Sequence, residues 1–294
     1  MIVAAPAKIN LTLEVVGVEP NGYHLLDTVF CWLELEDTLK LEPASETSFS
    51  MSSVQVDLGR VESDESNLVL RALRAVEAGT GRALPTRIEL EKAIPPGGGL
   101  GGGSADAAAA IFGLNILHDL KLTQHQMLEL ARPLGADVAF GLVGGAARGT
   151  RYGDILESVE LEGGLFQRDL VLLMPGFGCP TPAVYGLWDQ EPVHRARGAS
   201  ERFLSAVGTE DRLQAIANDL EEPAMRLQPE LQGYKQAMQA AGLQAVTLSG
   251  SGSTLFGFVP ENRAVDAIVQ ELSTPGAVIR KTRLKECTRF GLVS

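Results

Sequence analysis

The stretch PPGGGLGGGSADAAAA, from Pro95 to Ala110, determines how the rest of the sequence is interpreted. Six of the seven residues from Gly97 to Gly103 are glycine, and glycine loses more conformational freedom on folding than any other residue. A strand-like segment precedes this run, and an alanine-rich segment that favours a helix follows it. A flexible linker would lack such flanking elements. The stretch therefore predicts an ordered junction of strand, loop and helix.

Such a junction points successive backbone N–H groups at one concave site, together with the positive end of the helix dipole. Two phosphate-binding patterns fit poorly. A Walker A motif fails because its lysine position holds Ser104. A dinucleotide fingerprint is formally met by Gly97, Gly99 and Gly102, but the preceding strand alternates instead of being continuously apolar. The remaining interpretation is a longer loop that wraps a triphosphate without a lysine of its own.

Length, charge and cysteine spacing argue against several other classes of protein. The chain has 294 residues, a length that suits two packed domains, and a net charge of −12, which argues against nucleic acid as a partner. No apolar run suggests a membrane span, and the N-terminus does not resemble a signal peptide. Cys31, Cys179 and Cys287 are far apart, so we expect a reduced, cytoplasmic protein without disulfides. The basic stretch Arg280–Arg289 is interpreted as a solvated edge strand rather than an anion site.

Hydrophobic periodicity predicts helices mixed with antiparallel strands in both halves, which is the α+β class. Asn67 is expected to cap a helix that Gly79 ends, and Thr123 to cap one that stops at Pro133. Residues 144–164 are interpreted as a break between the halves, and three helical stretches are expected after the strand that follows it. Strands are predicted near residues 9–13, 28–41, 86–94, 168–175, 244–259 and 277–284.

Three motifs resemble the galactokinase, homoserine kinase, mevalonate kinase and phosphomevalonate kinase superfamily. The glycine stretch resembles its central ATP loop. PAKINLTLEV at Pro6–Val15 and LSGSGSTLFG at Leu248–Gly257 resemble its N-terminal and C-terminal motifs, in the expected order and separation. Asn21-Gly-Tyr-His24 and Leu134-Gly-Ala-Asp-Val-Ala-Phe140 further resemble the branch that phosphorylates 4-diphosphocytidyl-2-C-methyl-D-erythritol.

The resemblance implies a two-domain small-molecule kinase fold with the active site in the cleft between the domains. The N-terminal ATP-binding domain, expected at residues 1–158, would be like the second domain of ribosomal protein S5. The C-terminal domain, expected at 159–294, would be ferredoxin-like, although the last strand could return to the first domain. The implied reaction moves the γ-phosphoryl group of ATP, with Mg²⁺, to the 2-hydroxyl of the cytidyl diphosphate substrate in the non-mevalonate isoprenoid pathway. A monomer or homodimer is expected.

The resemblance also assigns the site residues. Asp137 would be the base that takes the hydroxyl proton, although it could equally cap the helix that follows it. Lys8 would pair with Asp137 and the γ-phosphate, since a lysine beside buried strand residues needs a partner. Substrate contacts are implied for Asn10, Tyr23, His24, Thr181 and Tyr185. Nucleotide contacts are implied for Asn67, Leu68, Pro96, Gly97, Gly98, Gly99, Leu100, Gly101, Gly102, Gly103 and Ser104.

Three alternatives stay open at this point. The chain could phosphorylate another small alcohol, such as homoserine or mevalonate. It could be a non-catalytic nucleotide sensor, although such a protein would not need both Lys8 and Asp137. A dehydrogenase would require the fingerprint within a parallel βαβ unit, and the acidic residue at the expected distance, Asp119, follows a helix instead.

Overall fold

The computed structural model describes residues 1–54, 63–161, 164–272, 276–286, 290 and 292–293. Cys287 and Arg289, which entered the sequence analysis, lie outside these residues. Within the described part of the chain the strands are β1 (Ile2–Val18), β2 (His24–Pro43), β3 (Ser48–Ser53), β4 (Thr86–Lys92), β5 (Ala146–Arg151), β6 (Ile155–Ser158), β7 (Asp169–Pro175), β8 (Ala217–Asn218), β9 (Gln244–Leu248), β10 (Leu255–Phe258), β11 (Ala277–Arg283) and β12 (Leu292–Val293). The α-helices are α1 (Leu68–Thr80), α2 (Gly102–Leu117), α3 (Gln124–Ala131), α4 (Ala136–Val143), α5 (Thr181–Gln190), α6 (Ala199–Ser205), α7 (Thr209–Ala215), α8 (Glu221–Leu227), α9 (Glu230–Ala240) and α10 (Val265–Glu271).

The first sheet is built on the long antiparallel pair β1 and β2, whose turn lies at residues 19–23. The strand order is β12-β1-β2-β4-β3, with β5 also paired to β2 and β8 to β1. Helix α2 packs across this sheet, and its alanines are fully buried because small side chains allow a close approach. At Gly113 a Cβ atom would come within 2.3 Å of Leu41, so the helix could not approach as closely with a larger residue.

The second sheet has the order β11-β7-β10-β9, and all of its pairs are antiparallel. The run Leu170–Met174 in β7 is buried on both faces. One face packs against a cluster that includes Trp188, Leu231 and Met238 from α5 and α9. The other face packs toward the first sheet. The α+β prediction is therefore confirmed.

Two short strands from the second half of the chain join the first sheet. β8 pairs with β1 in parallel at Thr12 and Leu13, and β12 pairs with β1 at Ile2 and Val3. β12 thus lies in the sheet built by the N-terminal segment, whereas the strand predicted near residues 277–284 is β11 of the second sheet. The division at residue 158 stays a prediction.

Four local predictions were wrong in detail. α1 runs through Gly79 and ends at Gly81, whose φ of 65° is the left-handed conformation that terminates helices. Residues 144–164 hold the hairpin of β5 and β6, because β2 offers β5 an edge to pair with. Five helices, not three, lie between β7 and β9. Asp137 does not cap α4; that position belongs to Gly135.

The glycine loop before α2 contacts the Ser249–Thr254 turn between β9 and β10. The Thr254 N–H donates to Gly98 O at 3.0 Å, and Ser249 Oγ donates to Gly99 O at 3.0 Å. Gly99 has a φ of 77°, and a Cβ there would lie 2.2 Å from the Ser249 carbonyl oxygen. This position therefore requires glycine for both its conformation and its contact with the second sheet.

Gly99→Ala should lower the free energy of unfolding by about 3 kcal/mol or more, because it adds a backbone collision to the cost of the left-handed conformation. Gly97→Ala is the matched control: its φ is 73°, but no atom lies within 4 Å of the added carbon. That variant should lose only about 1–2 kcal/mol. Equal losses in urea unfolding would contradict the proposed contact between loop and turn.

Candidate active site

Lys8 and Asp137 meet beside the glycine loop. Lys8 lies on β1, and its N–H donates to Leu100 O at 2.9 Å, which joins the strand to the loop. Its ammonium nitrogen lies 3.4 Å from Asp137 Oδ2 in the first turn of α4. The Lys8 side chain is 8% exposed and that of Asp137 is 34% exposed, so the carboxylate is open to a ligand. A Cβ at Gly101 would lie 2.9 Å from Lys8 Cγ and 3.5 Å from Asp137 Oδ2, so the loop fits closely over the pair.

A chain of hydrogen bonds holds the Lys8 ammonium group in place. Lys8 donates to Asn10 Oδ1 at 2.8 Å, and Asn10 Nδ2 donates to Thr28 Oγ1 at 2.8 Å. Thr28 in turn donates to Thr12 O at 2.5 Å. Lys8 and Asn10 share one face of β1 because successive side chains alternate. The chain fixes the lysine in a buried position where an unpaired charge would be costly.

A cavity of about 170 Å³ opens on this pair. Thr181 and Tyr185, both from α5, line it, and Thr181 Oγ1 lies 2.9 Å from Ser251 Oγ. Burial, and then the Asp137 carboxylate, raise the pKa of Tyr185, so this residue offers a neutral ring and hydroxyl. The other lining residues are Leu13, Leu26, Phe30, Gly99, Ala136, Tyr152, Leu220 and Gly250, together with Lys8, Asn10 and Asp137.

The rings of Tyr23 and His24, at the end of the turn between β1 and β2, contact different neighbours. The His24 ring lies against Tyr185 at a centroid distance of 4.4 Å. The Tyr23 ring is 62% exposed and lies 5.2 Å from the Tyr152 ring. The Tyr23 and Tyr185 rings thus contact different partners, and among the described residues no ring contact joins the two. Tyr152 was not identified from the sequence, where it is a lone aromatic residue in the segment 144–164 that was interpreted as a break.

The glycine loop leads into a helix end that carries no side-chain cap. α2 begins after Gly101, which has a φ of 66° and no capping side chain, and Ser104 lies in the first turn. The N–H groups of this turn are therefore available to an anion. Asp106 lies just beyond this turn. Gly97, Gly98, Gly99 and Gly101–Gly103 all fall within the loop or the start of the helix.

A second cavity, of about 280 Å³, lies on the other side of this loop. Asn67 and Leu68 line it, as do Pro96, Gly97 and Gly103. Asn67 also caps α1, because its Oδ1 accepts from Val69 N at 2.9 Å. Both interpretations of Asn67 made from the sequence are therefore compatible with its position.

Lys92 lies at the wall of the second cavity between two buried carboxylates. Its ammonium group is paired with Asp37 and lies 2.6 Å from Asp106 Oδ2. Asp37 Oδ1 also accepts the N–H groups of Ala93 and Ile94, at 2.5 and 2.8 Å, immediately before the glycine loop. The ion triad therefore fixes the end of β4 from which the loop departs. The three residues are too far apart in sequence for a motif to identify them as a group.

The close packing of the triad shifts the pKa values of Asp106 and Lys92. Burial raises the pKa of Asp106, and the attraction of Lys92 only partly offsets it. For Lys92, burial acts to lower the pKa, but the two carboxylates outweigh burial and raise it. Asp106 Oδ1 is buried without a hydrogen-bond partner among the described residues. Asp106 therefore keeps its proton to a higher pH than an ordinary aspartate does.

The described residues contain no group of three or more His, Cys, Asp or Glu side chains that could hold a metal ion. Asp137 is the carboxylate next to the glycine loop. A magnesium ion bound through one carboxylate, phosphate oxygens and water suits such a site. In the same described part of the chain, no helix is long and apolar enough to cross a bilayer.

Comparison with known proteins defines the class. The family model for the GHMP kinases N terminal domain matches residues 67–147, and that for the GHMP kinases C terminal matches 202–278. A homoserine kinase from Cytophaga hutchinsonii has a similar fold, with a TM-score of 0.75, 21% identity, and coverage of 97% of this chain and 95% of that one. The chain belongs to the GHMP kinases and is a small-molecule kinase that uses ATP.

More similar relatives define the branch. The 4-diphosphocytidyl-2-C-methyl-D-erythritol kinase of Carboxydothermus hydrogenoformans is 35% identical over 280 residues, 94% of each chain. That of Nocardia farcinica is 38% identical, over 96% of this chain and 92% of the relative. A crystal structure of 4-(cytidine 5'-diphospho)-2C-methyl-D-erythritol kinase superposes with a TM-score of 0.78 and 33% identity, covering 97% of this chain and 99% of that one. The chain is thus a member of the 4-diphosphocytidyl-2-C-methyl-D-erythritol kinase family, and both the predicted family and the two-domain kinase fold are confirmed.

The raised pKa of Asp106 makes a prediction about stability and pH. The folded state holds the Asp106 proton to a higher pH than the unfolded state, whose aspartates release theirs near pH 4. The contribution of this group is therefore fully present below about pH 4 and is lost as pH rises through the folded pKa. Asp106→Asn cannot ionise, so its free energy of unfolding should improve relative to wild type between pH 5 and pH 9.

Urea unfolding at several pH values measures this difference. Asp266→Asn is the control, because Asp266 is 73% exposed and pairs with Lys281 at the surface. Its difference from wild type should stay nearly constant with pH. A free energy of unfolding for Asp106→Asn that falls relative to that of wild type as pH rises would contradict the assignment.

Proposed function

We propose that the protein transfers the γ-phosphoryl group of ATP to the 2-hydroxyl of 4-diphosphocytidyl-2-C-methyl-D-erythritol, a step of the non-mevalonate route to isoprenoid precursors. Family membership supports the substrate. The structural observation that carries the mechanism is the Lys8–Asp137 pair, 3.4 Å apart, in a cavity beside an uncapped helix end. Phosphoryl transfer needs mainly positioning and charge neutralisation, and this arrangement can supply both.

Asp137 is the proposed catalytic base. Its carboxylate is one-third exposed and faces the cavity, where a substrate hydroxyl can reach it. It takes the proton of that hydroxyl as the oxygen bonds to the γ-phosphorus. The bond from this phosphorus to the bridging oxygen of ATP breaks at the same time, and ADP leaves with the electron pair. Tyr185 presents its neutral hydroxyl to the same cavity and does not compete as a base.

Lys8 is proposed to stabilise the charge that develops on the transferred group. Asn10 and Asp137 hold its ammonium group from two sides, so little reorganisation is needed when a phosphate arrives. Gly101 and Gly250 both lie close to Lys8, which supports this role. Larger residues at these two positions would fill the space around the ammonium group.

The nucleotide is proposed to lie along the glycine loop. Backbone N–H groups from Gly97 to Ser104 would hold its phosphates, and the cavity lined by Asn67 and Leu68 would take the adenine. Magnesium would supply further neutralisation of the triphosphate charge, with Asp137 or the Ser104 hydroxyl as the nearby protein oxygens.

The acceptor is proposed to occupy the cavity between α5 and the β1–β2 pair. Asn10, Thr181 and Tyr185 line this cavity, and His24 lies against Tyr185. Tyr23 is exposed, and its ring lies against Tyr152, which also lines this cavity. No observation favours another alcohol or a nucleotide sensor. The expectation of a monomer or homodimer stays a prediction.

Lys8→Ala and Asp137→Asn should each lower kcat by about a hundredfold or more, while the KM for ATP changes little. The reason is that both groups act on the transferred phosphoryl group, whereas the loop backbone holds the nucleotide. Steady-state kinetics with ATP and the cytidyl acceptor measure both constants. Homoserine and mevalonate are assayed alongside as competing acceptors.

The control pair is Lys281→Ala and Asp266→Asn, which breaks an ion pair of the same residue types at the surface. Both control variants should keep wild-type kcat. Near-normal kcat in Lys8→Ala or Asp137→Asn would remove that residue from the mechanism. Turnover of homoserine or mevalonate in place of the cytidyl compound would overturn the substrate proposal.

A further inference from the structure

The side chain of Asn218 joins the second sheet to the strand that carries Lys8. Asn218 lies on β8, which pairs with β1 in parallel. Its Nδ2 atom donates to two carbonyl oxygens at the end of β9 and in the turn that follows, Leu248 O and Gly250 O, at 2.8 Å each. Its Oδ1 atom accepts the Leu220 N–H at 2.8 Å. Asn218 is 6% exposed, so these three bonds fix the orientation of its amide group.

Only a carboxamide satisfies these three partners. Two of them are carbonyl oxygens and need N–H donors, whereas the third is an N–H group and needs an acceptor. The partners therefore also determine which end of the Asn218 amide is nitrogen. A carboxylate of the same shape could only accept hydrogen bonds, and it would place negative charge against the two carbonyl oxygens.

The bond to Gly250 O sets the direction of the next N–H group along the chain. The C=O and N–H groups of a trans peptide point in opposite directions, and the peptide between Gly250 and Ser251 is trans. Because Asn218 holds the Gly250 carbonyl, the Ser251 N–H points away from Asn218. Among the residues that the structure describes, none accepts a hydrogen bond from this N–H group. Ser251 N–H is therefore a donor of fixed direction.

This peptide belongs to the wall of the active-site cavity. Gly250 and Ser251 line the cavity together with Lys8 and Asp137. A Cβ atom at Gly250 would lie 3.4 Å from Lys8 Nζ, so the peptide is next to the ammonium group. A phosphoryl group there would meet two neighbouring donors. A carbonyl oxygen turned the other way would instead repel the phosphoryl oxygens.

We propose that Asn218 is a positioning residue for phosphoryl transfer: by holding two carbonyl oxygens of the turn, it directs the Ser251 N–H, beside Lys8, toward an oxygen of the transferred group. The contribution is largest in the transition state, where the negative charge on that group must be stabilised. This inference rests on the proposed function, because it requires a phosphoryl group to pass between Lys8 and Asp137. Asn218 does not touch the reacting atoms.

Asn218→Asp tests the inference, because it keeps the shape of the side chain and removes both donors. With ATP and the cytidyl acceptor, kcat should fall about thirtyfold, somewhat less than the loss of about a hundredfold or more that follows direct removal of such a donor. The KM values for ATP and for the acceptor should each change by less than about threefold, since the ground-state contacts remain.

Asn218→Ala removes the donors without adding a charge, so it keeps the test open if the aspartate variant does not fold. Its kcat should fall about tenfold, again with little change in either KM. Wild-type kcat in both variants would overturn the inference.

Asn115→Asp is the matched control. Asn115 lies on α2 and uses its amide in a similar way: Nδ2 donates to Leu122 O at 3.1 Å, and Oδ1 accepts Leu122 N–H at 2.8 Å. Neither residue lines the cavity of Lys8 and Asp137. In urea unfolding this variant should lose stability, as Asn218→Asp does, but its kcat should stay at the wild-type value.

Binding of ADP with aluminium fluoride gives a second readout, because this combination mimics the phosphoryl group during transfer. Calorimetry in the presence of the cytidyl acceptor should show about thirtyfold weaker binding to Asn218→Asp than to wild type, whereas ADP alone should bind within about threefold of wild type. Equal weakening of both would indicate a purely structural role and would overturn the inference alone. Wild-type enzyme that phosphorylates no acceptor would overturn the proposed function and this inference with it.

Discussion

The contact between two glycine-rich turns is the constraint on which the rest of the site depends. The loop before α2 and the turn between β9 and β10 come from different sheets, and they meet at backbone level. Gly99 has no side chain to separate them. A Cβ atom at Gly250 would lie 3.5 Å from both Asn10 Oδ1 and Gly99 O, so the second turn is also close. Because the backbones touch, the Lys8 strand, the loop and the second sheet form one wall around the cavity.

The electrostatics follow from this close packing. A chain with a net charge of −12 must concentrate positive potential where an anion is to bind. Two buried lysines, Lys8 and Lys92, lie near the glycine loop, and Lys8 is the one placed to supply this potential. The Lys8 ammonium group contacts the accessible Asp137 carboxylate and the Asn10 amide oxygen, and it lines the cavity. Lys92 is enclosed by Asp37 and Asp106, so it serves chiefly to hold the end of β4.

The sequence predicted the parts of this molecule that local rules govern. The strand, glycine loop and buried helix around residues 86–117, the Asn67 and Thr123 caps, and the glycine turn after β9 all follow from propensity and spacing. The juxtaposition of Lys8 with Asp137 was predicted through the family resemblance, and the structure places them together. The triad of Lys92, the Tyr152 ring beside Tyr23, and the bonds of Asn218 to the turn after β9 depend on long-range contacts, which no local pattern encodes. The hairpin of β5 and β6 was missed for the same reason, since its pairing partner lies more than a hundred residues earlier.

The pairing of β1 with β8 and β12 has a consequence for synthesis. The strand that carries Lys8 is synthesised long before two of its partner strands, which lie at residues 217–218 and 292–293. The cavity also needs Thr181, Gly250 and Ser251, which emerge long after Lys8. A nascent chain halted before the turn that follows β9 therefore carries Lys8, Asp137 and the glycine loop without the wall that closes around them. The cavity can therefore close only after synthesis has passed Ser251, some 240 residues beyond Lys8.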